Sequence, residues 1–170
     1  MAGWTEGVKR YRRDRLALLA EVAALPDEIQ KRRSAPGQWN ILEIMEHLVV
    51  AERFVFQGMP PPDQLRESPT AEGATLRRML VLAVLGLRIP VKTPSEAMVP
   101  TGTLGLDALR IMWTENADWL HTCAEHLGPA GVRKPFFSHP VTGPLNLPQA
   151  LALGRVHFEG HRKQIRARSR

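Results

Sequence analysis

Cysteine is nearly missing from this chain: Cys123 is the only one among 170 residues. An internal disulfide is therefore excluded, and one thiol cannot build a zinc cage. The chain reads as one suited to a reducing, cytoplasmic setting. Long apolar runs are missing too. The longest, Met79 to Leu87, falls far short of the roughly 20 residues that cross a bilayer, and Arg77, Arg78 and Arg88 flank it. It is expected to form the inner part of a buried helix, with no membrane as partner. A charged leader with an apolar stretch and a small-residue cleavage site is not seen, so no secretory signal is expected. Internal repeats, low-complexity tracts, a glycine-rich phosphate loop and convincing strand alternation are also absent.

What is present suits one domain over 1–170, since domains usually run to about 100–200 residues. Apolar residues make up 44% of the chain, enough to bury a core. Net charge is +6 and the pI is about 10.2. The basic residues gather at Lys9-Arg10, Arg12-Arg13 and Arg15, at Lys31-Arg32-Arg33, and from Arg162 to Arg170. No aromatic residue interleaves with that last run, so it lacks the stacking platform of a single-strand binder. Nucleic acid is not expected as a partner, and residues 166–170 read as a solvated basic tail.

Punctuation divides the chain into five stretches of helical periodicity: about Trp4 to Leu25, Ile41 to Gln57, Ala71 to Leu87, Leu106 to Leu127 and Pro148 to Arg166. Pro26 ends or bends the first. Asn40, with Glu43 three residues later, predicts a capping box at the second. Gly58 and three prolines stop it. Gly128-Pro129 closes the fourth, and Pro148 suits the first turn of the last. Pro90 to Gly105 reads as an irregular, extended connection, and Gly131 to Leu147 as a turn-rich loop. Five helices with these connections predict an all-α fold, a four-helix bundle with one additional helix and long loops.

The six histidines differ in placement. His157 and His161 stand four apart on the last helix, on one face, so both rings can reach a common point. His47 sits on the apolar face of the second helix beside Ile44, Leu48 and Ala51. An imidazole there needs a partner for its polar nitrogens. One divalent metal shared by His47, His157 and His161 would satisfy all three, and three imidazoles with open positions is the usual plan of a catalytic site. The spacing alone leaves open the alternative that these are hydrogen-bonded core residues. Glu159 lies two positions past His157, which is not the zincin arrangement. Glu43, Glu46 and Gln164 are candidates to orient the rings. His139 reads as structural or at a rim, and His121 and His126 as surface residues. Trp4, Trp113 and Trp119 read as packing, and Trp39 as a staple at the entry of the second helix.

Three segments carry a family resemblance. Gly37 to Leu48 contains Trp39, a helix start and His47-Leu48. Ser138-His139-Pro140-Val141-Thr142-Gly143-Pro144-Leu145 precedes the last helix. His157 to Ile165 reads His-x-x-x-His-x-x-Gln-Ile. In order and spacing these resemble the DinB-like superfamily of bundle metalloenzymes, across nearly the whole chain; 63–131 is the least diagnostic part. The resemblance implies a DinB-type four-helix bundle, frequently a homodimer, with His47, His157 and His161 as ligands of one divalent metal, zinc or nickel. It also implies a small-molecule substrate and a low-molecular-weight thiol as co-substrate, in an S-transfer to small electrophiles. A metal-dependent hydrolase and a non-catalytic metal- or ligand-binding module are the alternatives.

Overall fold

The computed structural model of the chain describes residues 3–69, 74–86 and 95–170. Its helices are α1 (Gly3–Ala23), α2 (Asp27–Lys31), α3 (Ile41–Val55), α4 (Ala74–Gly86), α5 (Leu106–Gly131) and α6 (Leu147–Arg168). Strands β1 (Phe137–His139) and β2 (Gly143–Leu145) form an antiparallel hairpin between α5 and α6. Single 3-10 turns stand at Pro62–Gln64 and Glu96–Met98. The expected all-α bundle is therefore present: α1 and α3 each pack on both α5 and α6, and α4 packs on α6.

Local chemistry explains the two helices that carry the histidines. The Asn40 side chain accepts from the Glu43 N–H while the Glu43 carboxylate accepts from the Asn40 N–H, so α3 begins with the capping box. Asn146 and Gln149 do the same for α6, with Pro148 in its first turn. Ile41, Ile44, Met45, Leu48 and Val49 of α3 are fully buried and join Leu18, Val22, Leu109, Trp113, Phe158 and Ile165 in one core. A second core, around Phe56, Leu120, Phe137, Leu145 and Ala150, lies under the hairpin. Phe56 stacks on Trp119, with ring centroids 5.4 Å apart.

Several details differ from the sequence reading. Helix α3 stops at Val55 rather than Gln57, because Gln57 takes a left-handed φ of 56° and the Gly58 N–H turns back to the Arg53 carbonyl at 2.9 Å; the Gln57 side-chain amide donates to the Phe136 carbonyl at 2.5 Å. The five-residue α2 is additional. Helix α5 has a break at Gly128, whose φ of 62° departs from helical geometry. The turn-rich loop holds the hairpin: its three-residue connection, Pro140 to Thr142, leads into Gly143 of β2 at φ 75°, a left-handed position that suits glycine. The basic tail is not free. Helix α6 continues to Arg168, Arg166 pairs with Glu21 at 2.5 Å, and Arg168 donates to the Trp39 carbonyl. The described part of the apolar stretch on α4 is divided: Val81 packs against the second core, while Leu76, Met79 and Leu80 are 72%, 63% and 62% exposed. Residues 71–73 and 87–94, where the reading placed the start of that helix and the beginning of the Pro-punctuated connection, lie outside the described residues. Among the described residues, no helix is long and apolar enough to cross a membrane.

Candidate metal centre

Helices α3 and α6 bring His47, His157 and His161 together. One ring nitrogen from each lies within 4.8 Å of the others. The His157 Nε2 stands 3.3 Å from the His47 Nε2 and 3.1 Å from the His161 Nε2. The three rings meet edge to face, with centroids 4.7 to 5.2 Å apart. His47 is buried, and the other two are half-buried.

What lies behind two of the rings decides which nitrogen is free. The His47 Nδ1 is 2.8 Å from the Met98 carbonyl, which can only accept, so the proton of a neutral ring sits on Nδ1. The His161 Nδ1 donates likewise to the Gln164 Oε1 at 2.9 Å. Both Nε2 atoms then present lone pairs to the cluster. One N–H on the His157 Nε2 can point well at only one of the two. A single cation at the centre would satisfy all three nitrogens. Two nitrogens bound about 2.05 Å from one ion at the tetrahedral angle stand about 3.3 Å apart, which matches the spacings seen.

The electrostatics agree. Burial lowers the His47 pKa, with the Met98 carbonyl opposing. Burial, and then the neighbouring His161 and His47, hold His157 well below the ordinary histidine value. Burial and the neighbouring His47 push His161 down to about 4, against the Gln164 bond. At neutral pH all three rings are neutral, the form that ligates metal.

The expected orienting residues divide. Gln164 is in place. Glu43 and Glu46 are not: Glu43 holds the Asn40 N–H at 2.7 Å and pairs with Arg33. Glu46 accepts from the Thr101 N–H and hydroxyl, each at 2.7 Å, and from the Gly102 N–H at 3.0 Å. Both carboxylates tie loops to α3 rather than orient a ring. Glu159 pairs with Arg162 at 2.8 Å. Trp39 packs against the His47 ring, centroids 5.0 Å apart, so it shields the site as well as the helix entry. His139 fixes the hairpin turn, its Nδ1 accepting from the Val141 and Thr142 N–H groups at 3.2 Å each. His121 and His126 are exposed, as expected.

Sequence reasoning missed the Met98 carbonyl and a buried network beneath the site. Arg15 pairs with Glu52 at 2.5 Å, and the Tyr11 hydroxyl and Trp113 indole donate to the other Glu52 oxygen at 2.6 and 3.0 Å. The Arg15 guanidinium lies over the rings of Tyr11 and Phe158, 4.1 and 4.2 Å from their centroids. Phe158 adjoins His157, so the network supports the helix turn that carries the ligand. The one available signal was Glu52 itself, a carboxylate among apolar neighbours on an inner helix.

A helical bundle with three converging histidines, one from α3 and two from α6, is the class of protein that fold and site define. The chain belongs to the DinB superfamily, whose family model matches residues 10–165. Neither a curated protein nor a solved structure matches it.

Proposed function

We propose that the protein is a metal-dependent thiol S-transferase acting on small electrophiles, with one divalent ion, zinc or nickel, held by His47, His157 and His161. The observation that carries the metal is the convergence of lone-pair nitrogens fixed by Met98 and Gln164. Three neutral ligands, His47, His157 and His161, would leave a divalent ion its full charge, which would favour an anionic further ligand and the thiolate form of a thiol at neutral pH. The thiol is a low-molecular-weight cofactor. The chain's own Cys123 is fully buried, and burial pushes its pKa up to about 12. In the transfer, sulfur forms a bond to an electrophilic carbon and the leaving group departs with the bonding pair. Hydrolysis by a metal-activated water is the alternative reading; it would proceed without help from Glu43, Glu46 or Glu159, each of which is engaged elsewhere. The protein works in the cytoplasm on a small-molecule substrate, as a homodimer. The exposed apolar residues of α4 support the dimer.

Metal analysis of untagged protein by mass spectrometry tests the site. Near one ion per chain is expected in wild type and little in His47→Ala or His161→Ala. Wild type that carries no metal and takes up neither zinc nor nickel would overturn it. Thiol consumption in the presence of an alkyl halide tests the reaction, and equal rates in wild type and His47→Ala would remove it.

A further inference from the structure

A groove of about 800 Å³ runs between the start of α1, the end of α5 and the first turns of α6. It lies on the opposite side of α6 from the histidines. Ala152 lines it, and Ala152 and His161 are about 2.5 turns apart, so they point in opposite directions. Trp4, Val132 and Leu151 give the groove apolar walls.

Its polar lining is unbalanced. Arg10, Arg133 and Arg155 all border it, and none of the three side chains has an ion pair or hydrogen bond among the described residues. Arg15 borders it too, but Glu52 holds that guanidinium. Against the three free cations stand Glu6 and Asp14, the latter already facing Arg13 at 3.7 Å. The buried Trp4 Nε1 has no acceptor among the described residues, although buried N–H groups in folded proteins nearly always have one. The capped end of α6, at Asn146 and Gln149, also borders the groove, and the positive pole of a helix favours negative charge.

We infer that this groove binds a small organic anion: an apolar body bearing one carboxylate. The guanidinium groups and the Trp4 N–H recognise the carboxylate, and Val132 and Leu151 take the apolar part. A single negative charge matches the modest positive excess of the lining.

The test is titration of the full ¹⁵N-labelled chain with 1-naphthoate, following the indole N–H resonances by NMR, with Trp4→Phe assigning the Trp4 signal. A saturable shift of that signal is expected, unchanged by a metal chelator. Affinity should fall at least tenfold for neutral 1-naphthamide and in the Arg133→Ala/Arg155→Ala variant. No saturable shift at Trp4 would overturn the proposal. So would an amide that binds within tenfold of the carboxylate, or a double variant that binds as wild type does.

Discussion

At the scale of single residues, the histidine cluster is a set of bases kept from their protons. His161 is held at about 4 instead of 6.5, and His47 and His157 are lowered as well. Between those two values the unfolded chain binds protons that the folded cluster refuses. Metal-free protein therefore has its full stability above pH 6.5 and loses it as pH falls towards 4. Thermal denaturation in the presence of a chelator should show the midpoint falling across that window. The fall should be shallower in His157→Gln/His161→Gln, and identical slopes would show that the rings titrate freely. The histidines were legible because two stand at helical spacing and the third lies on an apolar face. The Met98 carbonyl that orients His47 was not legible, since every residue has a carbonyl and none advertises where it points. Glu43 and Glu46 could be placed on the right helix turn, but their partners, Arg33 and the 101–102 backbone, come from loops whose path no periodicity describes.

At the scale of elements, the cap of α3 was legible, while the Asn146–Gln149 box of α6 and the loops were not. Asn40-Glu43 marks the start of α3 because a capping box is a local device, complete within four residues. The end of α3 closes with Gln57 in the left-handed region and the Gly58 N–H turned back to the Arg53 carbonyl, and because a glutamine does not advertise that conformation the end was set two residues too far. The hairpin escaped notice because its strands are only three residues long, too short for alternation to register. The network at Glu52 joins α1, α3 and α5, and the Arg15 contact with Phe158 adds α6. Glu52→Gln would leave the Arg15 charge buried without its counter-ion. Urea denaturation should show a loss of about 3 kcal/mol or more. A loss below about 1 kcal/mol would mean that Arg15 reaches solvent instead.

At the scale of the whole molecule, the all-α bundle followed from helix count and loop length, but its outer face did not. A run of apolar residues cannot tell a core from a contact surface, and α4 exposes Leu76, Met79 and Leu80. If two copies join through that face, Leu80→Glu should turn a dimer into a monomer in light scattering while leaving the helical circular dichroism unchanged. A wild type that is monomeric at working concentration would count against the dimer. The distribution of the ligands along the chain has its own consequence. His47 lies 110 residues before His157. A ribosome therefore releases the first histidine long before the other two, and a half-made chain offers an ion only one of the three imidazoles. A site built from all three could be complete only after α6 has emerged and docked. If the three histidines do hold an ion, its presence would report on folded chains, because a fragment that stops before α6 carries only one of the three.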